Sequence, residues 1–210
     1  MSTPGRDRET RDRLLTAAAR LFSTRGFARV TVRDICEQAH ANVAAVNYHF
    51  GGKTGLYEEV LRAAIETMQG TTAAVKAAGR DRGAEEQLEA YITIFLQRVP
   101  QARDSWIHQL MMRELTDPTP ALDLVIEQVV HPRMSYLAGI VATLIGCEPG
   151  DSRVGPCVLS VHAQIHALLN SPMATRLFGE TAAPTRAHLH RMARHITRFS
   201  LAGIRAIAAA

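Results

Sequence analysis

The chain has little of what marks exported, disulfide-stapled or sheet-forming proteins. Its three cysteines, Cys36, Cys147 and Cys157, are odd in number and sit in apolar helical contexts with no C-x-x-C pair. That argues against a disulfide framework and against zinc or redox chemistry, so no metal and no cofactor is expected. The longest apolar stretch, Tyr136 to Cys147, falls short of the roughly 20 residues needed to cross a bilayer and reads as a buried helix, with no membrane partner. The opening "MSTPGRDRETRDR" is charged and lacks the apolar run of a secretory signal, which predicts a cytoplasmic protein. Aromatic residues make up only 5% of the chain, and the alternation of aromatic or β-branched with polar residues that marks strands is nearly absent. No sheet and no internal repeat is expected.

What is present is apolar residues at spacings of three and four, in a chain of 210 residues that is 47% apolar. This is enough to bury a large core, and the pattern predicts an all-α fold. Charge is unevenly placed. The segment Met1 to Arg33 carries eight arginines against Asp7, Glu9 and Asp12, a net +5 within a chain whose total is +4. A localised basic segment is the footprint of a polyanion-binding module, although a solvated charged face has the same look.

The first helix should bury Leu14, Ala18, Leu21 and Phe22 and end at Gly26. In "TVRD", Thr31 followed by Asp34 is a capping box, opening a short helix with Val32, Ile35, Cys36 and Ala39 inward. Asn42 is a second N-cap a few residues later, so His40 and Ala41 form a tight turn between two short helices, with His40 in the place glycine usually takes. Gly51 and Gly52 end the third helix. Lys53 begins a long fourth one with Leu56, Tyr57, Val60, Leu61, Ala64, Ile65 and Met68 on its inner face, joining the two halves of the chain. The stretch "KAAGRDRGAEEQ" reads as a loop. After it come about five more helices, broken at Pro100, at Asp117 to Pro120, at Cys147 to Asp151 and at Gly179 to Thr185, with Pro132 kinking or dividing the pattern from Ala121 to Ile145.

The stretch "VNYHFGGKTGLYEEVL" contains Gly-Gly-Lys-Thr, the tail of a nucleotide-binding phosphate loop. Such a loop needs a glycine where Asn47 stands and must leave a strand, whereas the preceding pattern is helical. A short capped helix, a tight turn, a second short helix and a basic flank make instead a helix-turn-helix, whose second helix enters the major groove.

The segment "VTVRDICEQAHANVAAVNYHFGGKTGLYEEVL" resembles the DNA-binding part of TetR-type transcriptional regulators, over about Arg8 to Leu61. Later stretches, "PTPALDLVIEQVVHPRMSYL" and "HITRFSLAGIRAI", resemble a branch with its own helical C-terminal domain. The resemblance implies an all-helical homodimer: a three-helix DNA reader over residues 1–52, and over 53–210 a domain that binds an inducer and dimerises. It also matches Tyr48, His49 and Lys53 to positions that hold the DNA backbone.

The residues support the same roles. Ala41, Val46 and Phe50 should face the core, leaving Val43, Ala44, Ala45, Asn47, Tyr48 and His49 on or beside the open face. Alanines let a helix approach base edges, and Asn47 is the amide able to pair bidentately with adenine. Thr31 and Arg33 stand at a helix N-terminus, where free amides favour a phosphate. The expected partner is a double-stranded palindromic operator.

Further along, Tyr91, Phe95, Trp106, His108, Met111, Met112 and Tyr136 suit either an inducer pocket or plain core, and the composition fits a small apolar ligand with a few hydrogen bonds. His162 and His166 are one turn apart. A pair at this spacing can bind a metal, but "HAQIH" lacks the glutamate of a zinc protease helix and no third ligand is well spaced, so ligand contact or packing is favoured. No catalytic arrangement of serine, cysteine or carboxylate emerges. The alternative class is an enzyme using His162 and His166 with a metal, or Lys53 with a nucleotide. The resemblance implies that two helices near the C-terminus pair with their symmetry mates, and by length and position Val154 to Asn170 and Ala187 to Ile207 are the candidates.

Overall fold

The computed structural model describes residues 4–98, 105–119, 121–170 and 185–209. Among these every regular element is helical: α1 Pro4–Arg25, α2 Val32–Ala39, α3 Val43–Phe50, α4 Lys53–Gly79, α5 Ala84–Gln97, α6 Trp106–Thr116, α7 Ala121–Val125, a π-helical turn Ile126–Val130, α8 His131–Ile145, α9 Val154–Asn170 and α10 Arg186–Ala208. The breaks expected at Pro100 and over Gly179 to Pro184 lie outside the described residues. Thr185 is the N-cap of α10, its hydroxyl accepting from the His188 N–H.

By packing the chain forms two compact units, Met1–Thr67 with Asp104–Val125, and Met68–Arg103 with Ile126–Ala210. Helix α4 contributes to both. In the first unit α1 buries Leu14, Ala18, Leu21 and Phe22, α2 buries Ile35, Cys36 and Ala39, α3 buries Val46 and Phe50, and α4 buries Leu56, Tyr57, Val60 and Leu61. Each of the buried Leu, Ile, Val and Phe side chains contributes roughly 1.5–3 kcal/mol of apolar transfer. Helix α6 is tied to the end of α1: Arg113 donates from Nε to the Ser23 carbonyl at 2.8 Å and from Nη2 to the Thr24 carbonyl. The buried Glu114 carboxylate accepts from the Tyr57 hydroxyl and from the N–H and hydroxyl of Thr119.

The second unit buries Leu88, Tyr91, Ile92 and Leu96 of α5 against Leu137, Ile140 and Val141 of α8, Val154, Cys157, Val161 and Ile165 of α9, and Leu189, Ala193, Ile196 and Ile204 of α10. The loop expected over Lys76 to Gln87 shrinks to four residues. Lys-Ala-Ala carries α4 on to Gly79, and Gly83 starts α5, with the Glu86 carboxylate accepting from the Gly83 N–H at 3.1 Å. Pro132 divides its segment as expected, and the π-helical turn lies just before it. Proline has no N–H for the carbonyl four residues back. That carbonyl, on Gln128, accepts instead from the side-chain amide of Gln69 at 3.3 Å. Phe199 and Ile207 leave the buried stripe of α10 and are exposed, as is Leu159 on α9.

Candidate nucleic-acid interface

The helix-turn-helix is held by local capping. Thr31 is extended at φ −102°; its N–H donates to Asp34 Oδ2 at 2.8 Å, and its hydroxyl donates to the same oxygen at 2.7 Å while accepting from the Asp34 N–H at 3.2 Å. These bonds hold the Asp34 carboxyl below its usual range, with help from Arg25 at 3.9 Å. His40 takes the left-handed conformation, φ 50° and ψ 50°, and its N–H returns to the Cys36 and Glu37 carbonyls, turning the chain within one residue. Asn42 then caps α3, its Oδ1 accepting from the Ala45 N–H at 2.8 Å. Val43–Phe50 is helical throughout, so the strand exit that a nucleotide phosphate loop requires does not exist here.

Helix α3 seats Val46 and Phe50 in the core and turns Val43, Ala44, Asn47 and Tyr48 outward, with Ala45 half-buried. Tyr48 is 77% exposed, the largest value among the described large hydrophobic side chains, where a phenol has no packing reason to be. His49 departs from the expectation of an open-face residue. Its side chain is 8% exposed and its Nε2 lies 3.5 Å from Asp7 Oδ1, so the imidazole faces α1. The Thr31 hydroxyl is engaged with Asp34 in the capping box expected of it, and Arg33 beside it is exposed.

Lys53 is half-buried, and its Nζ rests 4.3 Å from the centre of the Phe27 ring. Phe27 is steadied by Phe22 and Tyr57, at 5.8 and 4.7 Å between ring centres. Arg11 joins the helices behind the interface: its guanidinium stands 5.3 Å from the Phe50 ring centre, and Nη2 meets Glu59 Oε2 at 2.6 Å. Asp7, Arg11, Phe27 and Gly55 escaped the sequence reading. The one available signal was the "RGF" turn after α1, which puts an aromatic residue next to a glycine cap. Gly26 and Gly51 take positive φ, 82° and 70°, where the helices end.

Of the residues expected to line a ligand pocket, Trp106, His108 and Met111 belong to the first unit, while Phe95, Tyr136, His162 and His166 belong to the second. Trp106 lines a shallow groove with Leu15 and Ala19 of α1 and Val60 and Ala63 of α4. Tyr136 packs at the end of α4, where its hydroxyl closes on Gly79 and its ring lies 5.7 Å from Lys76 Nζ. The Phe95 ring is tilted against Tyr91 with centres 4.6 Å apart, and the His162 and His166 rings lie 4.2 Å apart. No group of three or more His, Cys, Asp or Glu placed to hold a metal occurs among the described residues. Burial pushes the Cys36 and Cys157 thiols up, away from the reactive thiolate form. No helix among the described residues is long and apolar enough to cross a membrane.

Two family profiles match this chain. That of bacterial regulatory proteins of the tetR family covers residues 14–60, which hold most of α1, all of α2 and α3 and the start of α4. That of the C-terminal domain of the HTH-type transcriptional dual regulator CecR covers residues 84–204. The dual regulator CecR of Shigella flexneri is 30% identical over 185 residues, 82% of this chain and 78% of its own. The transcriptional repressor KstR2 of Rhodococcus jostii is 36% identical over 83 residues, 40% of each chain. A solved TetR-like transcriptional regulator from Rhodococcus sp. RHA1 shares the fold, with a TM-score of 0.61 at 16% identity over 93% of this chain and 95% of that one. This chain therefore belongs to the TetR family of transcriptional regulators, with a helix-turn-helix DNA-binding domain at its N-terminus and a C-terminal domain of the CecR type.

Proposed function

We propose that the protein is a ligand-responsive repressor that binds a palindromic operator as a homodimer and is released by a small, largely apolar inducer. Residues 1–52 read DNA, and residues 53–210 dimerise and receive the ligand. The observation that carries this reading is the open face of α3. Val43, Ala44, Asn47 and Tyr48 stand free of the core there, and Lys53 follows just past the helix end. Small side chains admit the helix to the groove, the Asn47 amide reads a base, and Tyr48, Arg33 and Lys53 hold the backbone. Two-fold pairing is supported by α9 and α10, where Leu159 and Phe199 are 67% and 64% exposed beside the small exposed residues Gly155, Ser160, Ala163, Ala202 and Gly203. Such faces let helices of two copies approach closely. Phe95, His162 and His166 are the proposed ligand contacts.

In this reading ligand binding within the C-terminal domain shifts the helices of the dimer and, through the continuous α4, changes the separation of the two readers. By linkage, inducer and operator weaken each other's binding equally. The CecR relative is named a dual regulator and the KstR2 relative a repressor, so reporter expression from the bound promoter decides the sign. The direct test is fluorescence anisotropy with the duplex upstream of the protein's own gene, across roughly 50–200 mM salt. A steep loss of affinity with salt and a mass of two protomers per palindrome are expected; no salt-sensitive affinity for any duplex would overturn the reading.

A further inference from the structure

The second unit holds a half-buried cation that meets no acid among the described residues. The Arg133 guanidinium on α8 lies 4.6 Å from the centre of the Phe95 ring. It donates from Nε to Thr72 Oγ1 at 3.4 Å and from Nη2 to the Met68 carbonyl at 3.4 Å, both neutral acceptors at the long limit of a hydrogen bond. None of the ion pairs among the described residues includes Arg133. A second cation, Arg98, adds its charge nearby; it donates to Thr71 at 2.8 Å.

Beside the guanidinium is a matching deficit. Tyr91 is 1% exposed, its ring tilted against Phe95, and its hydroxyl has no hydrogen-bond partner among the described residues. Burial pushes this phenol up to about 12, and the nearby Arg133 works in the opposite direction. On α9, His162 is held down at about 4 by burial, by His166 and by Arg133, so it is neutral at pH 7 and offers one N–H and one lone pair. Phe95, Arg133, His162 and His166 are only partly buried and so touch solvent, while Tyr91 is buried beside them.

A desolvated guanidinium and an unpaired buried phenol are each unfavourable, and one kind of guest satisfies both. A carboxylate accepts from the planar fork of Arg133 and from the Tyr91 O–H, and brings a single negative charge to a site where His162 is neutral. We propose that this cluster of Tyr91, Phe95, Arg133 and His162 receives the acidic end of an organic monocarboxylate whose apolar body lies along Phe95. The inference rests on the reading of the C-terminal domain as the ligand-binding one and names the chemical class of that ligand.

Calorimetric titration of the full-length protein with sodium decanoate, 1-decanol and decyl phosphate, all below their aggregation limits, tests it. Decanoate should bind at least ten times more tightly than decanol. Arg133→Gln should weaken decanoate at least tenfold with little change for decanol, Arg133→Lys should restore part of the loss, and Tyr91→Phe, which keeps the ring, should weaken decanoate several-fold. Circular dichroism and melting of each variant show that it is folded, and if Arg133→Gln does not fold, the Tyr91→Phe and Arg133→Lys titrations decide. Equal affinity for decanoate and decanol, tighter binding of decyl phosphate, no binding of decanoate, or full decanoate affinity in Tyr91→Phe would each overturn the proposal. A gel shift on the same preparation separates the two readings: operator binding without carboxylate discrimination sinks this inference alone, whereas no affinity for DNA sinks the function proposed above.

Discussion

The Lys53 ammonium rests on the face of Phe27, 4.3 Å from the ring centre. A cation in the first turn of a helix opposes the helix dipole, and an aromatic face offsets that cost. Because Phe27 is wedged between Phe22 and Tyr57, the charge is positioned before any DNA arrives. Lys53→Ala is expected to weaken binding to all duplexes alike and to reduce the salt slope by about one. Phe27→Leu keeps the charge and should lose only about 0.5–1 kcal/mol of binding, with the slope unchanged. Anisotropy over a salt series measures both; an unaltered slope in Lys53→Ala removes this residue from the interface.

Gly55 fixes the corner between α3 and α4. A Cβ there would stand 1.9 Å from the Phe50 carbonyl oxygen, closer than any real contact, and that atom is backbone. Gly55→Ala should destabilise the protein by roughly 2–4 kcal/mol and lower operator affinity, since the recognition helix must shift. Gly70→Ala on the same helix meets nothing within 4 Å, and should stabilise by up to about 1 kcal/mol. Thermal melting of the pair gives the comparison, and equal melting temperatures would show that the corner has slack.

Asn47 is exposed on α3 between Ala44 and Tyr48. Its amide presents a donor and an acceptor together, the pattern adenine offers in the major groove. Asn47→Ala should relax base preference at one position per half-site, at about 1–3 kcal/mol. Selection from a randomised duplex library reads this directly, and unchanged discrimination at every position would rule the role out.

The sequence announced the helix-turn-helix because its signals are local. Thr31 and Asp34 cap within one turn, Asn42 caps the next helix, and apolar spacing marks Val46 and Phe50 as inward. The all-α fold and the long α4 were legible for the same reason. The reach of His49 to Asp7 and the seating of Lys53 on Phe27 were not, because they join residues from different helices and no spacing rule connects them. The half-buried charge of Arg133 was hidden too: on a helix an arginine beside a proline reads as solvated, and only the structure brings it against Phe95 of α5 and Met68 and Thr72 of α4.

Phe199 and Leu159 are exposed on α10 and α9, so in a single protomer a charge at either site meets water rather than core. Phe199→Asp should leave helicity and the protomer fold unchanged. In a dimer joined through these helices the same change buries an unpaired carboxylate at the interface, a loss of several kcal/mol of association. Sedimentation at micromolar concentration should show two protomers for the natural protein and one for the variant, with operator affinity falling in parallel. A variant that stays dimeric moves the interface elsewhere.

His162 links stability to pH. Burial first, then His166 on its own helix and Arg133 on α8, hold it at about 4, against 6.5 for the free side chain. Between these values the unfolded chain takes up a proton that the folded one refuses. The contribution of neutral His162 is therefore complete above about pH 6.5 and is lost as pH falls toward 4. Because the ring is only partly buried, solvent screening leaves this at roughly 1–2 kcal/mol. His162→Gln removes the titration while keeping a polar side chain of similar reach. Its stability relative to the natural protein should be higher at about pH 5 than at about pH 7.5 by that amount in urea unfolding. A difference that stays constant between the two pH values would mean that the folded protein protonates the ring as freely as the unfolded chain does.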